Sequence, residues 1–152
     1  MQERNIPPLT ALCFETQTSF KDMLQYVRVI ARRLHISAIA SGLEIAGPIQ
    51  WIYVGADGQP DTLFSLTIAL PIVPPGKIID IPEFAVKNLP AFRCISSRHD
   101  GDWGRLGETY GLIIGNVISE SRVMTGENRE LYIHMDFENP DYNITEVQVG
   151  IV

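Results

Sequence analysis

The sequence has no cluster of Lys or Arg, no apolar run long enough to cross a bilayer and no glycine-rich loop of phosphate-binding spacing. Each absence removes a class of function. Contact with nucleic-acid phosphates needs a basic face, and here 12 Lys and Arg are outnumbered by 18 Asp and Glu, for a formal charge of −6. Direct nucleic-acid binding is therefore not expected. A spanning helix needs about 20 mainly apolar residues, so no membrane partner is expected either. The opening Met1-Gln-Glu-Arg-Asn5 is polar and unlike a secretory leader, which points to a cytoplasmic protein. Nothing matches the glycine cradles that hold nucleotide phosphates.

Metal and nucleophile chemistry are equally thin. The three histidines, His35, His99 and His134, are far apart, and His134-Met-Asp136 alone does not make a ligand set. No metal and no other cofactor is expected. Ser96-Ser97 near His99 lacks the strand-turn-helix context of a nucleophile elbow. Cys13 and Cys94 could bridge in principle, but a reducing compartment makes two buried thiols the expected state. The segment His99-Asp-Gly-Asp102 precedes a helix, where carboxylates suit the positive helix end, so capping is expected there rather than catalysis.

What is present suits a packed core: 152 residues, 45% of them hydrophobic. Leu9 to Thr16 alternates like a strand after the extended Pro7-Pro8 pair. Ser19, with Asp22 three residues on, is placed to cap a helix. Phe20, Met23, Leu24, Val27, Ile30, Ala31 and Leu34 form its apolar face, opposite Lys21, Gln25, Arg28 and Arg32. Gly42 is the expected stop. Gly47 to Tyr53 and Leu63 to Leu70 read as two strands joined by the turn-rich Gly55 to Pro60. Pro71, Pro74, Pro75 and Gly76 mark a linker, with a boundary expected around residues 72 to 82.

The second half repeats the first. Pro90 to Ser96 reads as a strand, and Asp102 is placed to cap a helix with Trp103, Leu106, Tyr110, Ile113, Ile114 and Val117 on its apolar face. Cys13 overlays Cys94 and Trp51 overlays Tyr132 at one separation; the helices overlay at a separation two residues longer, as one loop insertion gives, placing Ser19 on Asp102 and Val27 on Tyr110. The expected fold is α+β: tandem strand-helix-strand-strand repeats, about 8–75 and 82–152, within one domain over 1–152. They would make a six-stranded, mostly antiparallel sheet, with both helices on one face and a ligand groove on the other.

The closing strands, Arg129 to His134 and Ile144 to Val149, carry the candidate site. Side chains alternate along a strand, so Glu130, Tyr132 and His134 share one face and Leu131 and Ile133 the other; Glu146 and Gln148 alternate likewise with Val147 and Val149. Paired as a hairpin with the polar positions together, they give a face of Glu130, Tyr132, Glu146 and Gln148. The overlay adds Trp51 and Tyr53 from the first half. A carboxylate beside aromatic rings favours a cationic, planar guest through charge pairing and cation–π attraction of about 0.5–2 kcal/mol. The competing reading is that the aromatics are core and the glutamates simply solvated.

Four stretches in order, Leu89-Pro-Ala91, Gly101-Asp-Trp-Gly-Arg-Leu-Gly-Glu-Thr-Tyr110, Arg129-Glu-Leu-Tyr132 and Thr145-Glu-Val-Gln-Val149, resemble the GyrI-like effector-binding domain family. That family also supplies the ligand-sensing half of MerR-type and AraC-type (SOUL-related) multidrug regulators. The resemblance implies a doubled module with a groove between repeats, where an acidic residue and aromatic walls hold lipophilic, often cationic, drugs. It points to Glu130 and Glu146 as the acidic positions, while Thr67 stands where relatives often carry a third acid. It implies a stand-alone binding or sensor module without its own DNA-binding domain, whose partners are a small-molecule ligand and either a second copy or a separate DNA-binding regulator. An enzyme is the alternative: a hydrolase of strained cyclopropane-type compounds with Glu130 or Glu146 as general base, its pKa raised by apolar surroundings. Inhibition of a protein partner is a third.

Overall fold

The computed structural model describes the backbone of all 152 residues and every side chain except those of Val27 and Arg28. The expected places of those two on opposite faces of the first helix, and the overlay of Val27 on Tyr110, lie outside the described residues. The chain runs β1 (Gln2–Ile6), β2 (Leu9–Thr18), α1 (Leu24–Ala40), β3 (Gln50–Val54), β4 (Phe64–Pro71), β5 (Ala85–Leu89), β6 (Phe92–Asp100), α2 (Leu106–Ser119), β7 (Met124–His134) and β8 (Ile144–Ile151). All strands join one antiparallel sheet in the order β1-β6-β8-β7-β3-β4-β2-β5.

The sheet thus has eight strands where six were expected. The two extra ones, Gln2–Ile6 and Ala85–Leu89, lie at its edges and are polar or mixed in sequence. An edge strand has one neighbour and a solvated side, so it needs no apolar alternation and is protected by charge. Outward from the centre the order is β3-β4-β2 on one side and β7-β8-β6 on the other. Each edge strand crosses over: β1, leading into β2, pairs with β6, and β5, leading into β6, pairs with β2.

Each helix covers the outer strands of its own half. Helix α1 lies against β2 and β4, and α2 against β6 and β8. Leu12, Leu34, Leu66, Ile68 and Leu70 fill the first core; Ile113, Val117, Val147 and Val149 fill the second. Burial of such side chains is worth about 1.5–3 kcal/mol each. Cys13 and Cys94 are free and buried, and loss of hydration holds both thiols protonated, with pKa values pushed up to about 11.

The helix ends depart from expectation at one place. Ser19 does not cap α1; its hydroxyl donates to Asp22 at 3.3 Å, and its carbonyl accepts from the Met23 N–H at 2.8 Å. The resulting turn tucks Phe20 against Phe64, with ring centres 4.8 Å apart, so the ring's burial sets the entry to the helix. Gly42, at φ +73°, ends α1 and lets the Leu43 N–H reach the Ala38 carbonyl at 2.9 Å. Asp102 caps as expected: its carboxylate accepts from the Gly104 N–H at 2.8 Å, starting a 3-10 turn, Trp103–Arg105, that runs into α2.

Near the start of β7 the register with β8 slips between Met124 and Asn128, a β-bulge that folds over Gly150. A Cβ at Gly150 would lie 2.6 Å from the Glu127 carbonyl and 2.9 Å from the Phe92 ring. Gly150→Ala is expected to lower stability by about 1–3 kcal/mol. Gly111→Ala on the open face of α2, where a Cβ meets nothing within 4 Å, should raise it by about 0.5–1 kcal/mol. Urea unfolding followed by tryptophan fluorescence checks both; equal effects would contradict the close approach.

Candidate ligand-binding site

Because the helices sit on outer strands, neither covers the central β3–β7 pair. A half-open cavity of about 1100 Å³ occupies that gap, walled by α1 and α2 and floored by the two strands. It lies on the same face as the helices, not on the opposite face as expected. The register explains the correction: Trp51 stands directly opposite Glu130 on the neighbouring strand, and directly paired residues point to the same side of a sheet. Trp51, Tyr53, Glu130 and Tyr132 therefore all face the helices and line the cavity.

Glu130 is the floor's centre and is only 6% exposed. Its Oε1 accepts from the Tyr132 hydroxyl at 2.5 Å and the Tyr53 hydroxyl at 3.3 Å, and its Oε2 accepts from the Tyr110 hydroxyl at 2.6 Å. None of the ion pairs among the described residues includes it. Burial raises its pKa above the usual 4.5, and the three hydroxyls and neighbouring His99 only partly offset that. Burial and the adjacent carboxylate in turn hold Tyr53, Tyr110 and Tyr132 protonated well beyond the ordinary tyrosine range. A carboxylate offers about four acceptor positions; three are taken, leaving one for a guest.

The walls are aromatic. Trp51 and Trp103 each meet the Tyr132 ring edge to face, with centroids 4.7 and 5.6 Å apart, and Phe137 meets Trp103 in the same edge-on way at 5.5 Å. Trp103 is held by its indole N–H donating to Thr145 at 3.0 Å. His99, buried beneath, ties the start of α2 to the sheet. Its Nε2–H donates to the Asp102 carbonyl at 2.8 Å, and its Nδ1 lies 2.8 Å from the Thr109 hydroxyl. The Trp51 N–H is buried without an acceptor among the described residues, an arrangement that costs about 1–3 kcal/mol.

Glu146 and Gln148 stand elsewhere. In the β7–β8 pairing Glu130 faces Val147, while Glu146 faces Leu131 and Gln148 faces Arg129. Both are thus on the opposite side of the sheet from Glu130. There Glu146 takes an ion pair from Arg4 and a hydrogen bond from the Gln148 amide at 2.9 Å. Alternation within each strand was read correctly, but the connection between them, with its register shift after Tyr132, sets which positions come together. Tyr110, Trp103 and Phe20 had been read only as apolar helix positions. The one signal for Tyr110 was a hydroxyl on an otherwise apolar helix face, since a buried Tyr seeks a partner.

No family model matches the chain, and no curated protein matches it in sequence. Solved structures do match. The crystal structure of the EcmrR C-terminal domain superposes with a TM-score of 0.81 at 16% identity, covering 99% of this chain and 96% of that one. The fold is that of a GyrI-like effector-binding domain. SAV2435 bound to tetraphenylphosphonium shares this GyrI-like fold with a TM-score of 0.66 at 14% identity, covering 99% of this chain and 93% of that one. So does a hydrolase encoded by lin2189 from Listeria innocua, with a TM-score of 0.65 at 13% identity and coverage of 99% and 91%. In the EcmrR–DNA complex the chain spans 56% of the EcmrR length. Among the described residues no group of three His, Cys, Asp or Glu side chains could hold a metal, and no helix is long and apolar enough to cross a membrane.

A carboxyl whose folded pKa is raised favours its protonated form in the folded state. Its contribution to stability is therefore full below the unfolded carboxylate's ordinary value and declines as pH rises through the higher folded one. The stability of the wild type relative to Glu130→Gln should fall as pH rises above the ordinary carboxylate value. Thermal melts of both proteins at a series of pH values check this, and a pH-independent difference would count against it.

Proposed function

We propose that the chain is a small-molecule binding module of the effector-binding type that takes lipophilic cations. The observation that carries this is the Glu130 carboxylate, buried on the floor of an apolar, aromatic-walled cavity and in none of the ion pairs among the described residues. A carboxylate stripped of water and unpaired is costly, and a guest cation supplies the missing charge. A cation whose charge is spread over aromatic groups gives up little hydration on entering and gains from the surrounding rings. The cation held by SAV2435, which shares the fold, supports the same chemistry. Trp51, Tyr53 and Tyr132 would supply the aromatic contacts. Regulation of transcription would run through a DNA-binding segment or partner regulator, in line with the greater length of the EcmrR chain in its DNA complex.

A hydrolase acting on strained cyclopropane-type compounds is the second reading. It is favoured by the raised pKa of Glu130, which suits a general base, and by the hydrolase from Listeria innocua among the structural neighbours. The three tyrosine donors weigh against it, since each hydrogen bond makes the carboxylate a poorer base and together they leave one position for water.

Quenching of Trp51 and Trp103 fluorescence by tetraphenylphosphonium tests the first reading. Glu130→Gln is expected to weaken binding about tenfold or more, whereas Glu146→Gln, altered on the other side of the sheet, should leave it unchanged. Equal affinity of folded Glu130→Gln and wild type would sink the cation reading. Turnover of a cyclopropane compound, lost in Glu130→Gln, would promote the hydrolase.

A further inference from the structure

The cavity carries charge of both signs. Helix α1 contributes Arg32 and His35 to the wall, three residues apart and so neighbours on one helix face. Arg32 has no hydrogen bond or ion pair with any described residue. Its neighbour Arg33, pointing away from the cavity, is paired with Glu83. The other acid along the cavity, Asp57, is occupied by its own turn: it accepts from the Gln59 N–H and the Thr62 hydroxyl, each at 2.9 Å. His35 is oriented as well. Its Nδ1 lies 2.8 Å from the Ala31 carbonyl, which only accepts, so Nδ1 carries the proton and Nε2 is the nitrogen left without a partner among the described residues.

We propose that the natural ligand is amphoteric: a lipophilic body whose cationic end sits at Glu130 and whose anionic group, a carboxylate or its like, is met by Arg32 and His35. This rests on the reading of the cavity as a cation site and names the guest more narrowly. A buried carboxylate on the floor and an exposed guanidinium on the wall set up a field across the cavity. A plain cation is drawn to the floor but repelled by Arg32; a zwitterion is matched at both ends. Arg32 supplies a planar pair of donors suited to a carboxylate, and the outward nitrogen of His35 donates to the same group when protonated.

Rhodamine B, a zwitterion through its free carboxylate, and its ethyl ester, a plain cation, differ only at that group. Fluorescence anisotropy gives the affinity of the full chain for each dye. Wild type should bind the free acid about three- to fivefold more tightly, the range expected for an ion pair at a half-open site. Arg32→Gln should bring the ratio to about one, Arg33→Gln should preserve it, and Glu130→Gln should weaken both dyes together, with circular dichroism confirming each fold. Ester binding as tight as or tighter than acid binding in wild type would overturn the amphoteric ligand and leave the cation module standing. Binding of neither dye would overturn both.

Discussion

The structure turns on one carboxylate that three tyrosines share. Glu130 comes from β7, and the hydroxyls that hold it come from β3, from α2 and from β7 itself. The two sheet halves and the second helix are thereby tied to a single group. Hydrogen bonds to a charged acceptor are worth about 1.5–3 kcal/mol each, comparable to the cost of keeping a carboxylate away from water. The balance leaves Glu130 stable enough to be built in yet still raised in pKa. A site so poised has a reason to take a cation.

The cavity itself follows from how two helices cover a wide sheet. Each packs on the outer strands of its own half, where apolar side chains such as Leu12 and Leu70, or Val147 and Val149, form its core. The central pair is left open, and the residues placed there are aromatic and acidic. On the reverse side the sheet closes its polar groups against one another. Arg129 lies 4.0 Å over the Phe92 ring and reaches Glu127, and Glu146 is held by Arg4 and Gln148. Two glutamates of similar sequence setting thus have opposite fates: one is satisfied by an arginine, the other waits on neutral hydroxyls.

Much of this was legible in the sequence and some was not, for identifiable reasons. The alternating and helical patterns located six strands and both helices, and Asp102 was recognised as a cap because a carboxylate just before a helix suits its positive end. The polar edge strands were missed because nothing apolar marks a strand that solvent wets. Trp51, Tyr53, Glu130 and Tyr132 were brought together by the overlay of halves, since equivalent strands meet at the centre. Glu146 and Gln148 were misplaced because pairing register depends on the loop and bulge after Tyr132, and one residue of slip exchanges the two faces. The tyrosine from α2 needed the three-dimensional structure.

The ionisation of Glu130 is the quantity on which this account depends, and carbon NMR of its labelled carboxyl reads it directly. In the free protein the group should titrate above the ordinary carboxylate range, and saturation with tetraphenylphosphonium should move that titration to lower pH, because the bound cation favours the charged form. A carboxyl that titrates in the ordinary range and does not move when the cation is added would contradict it.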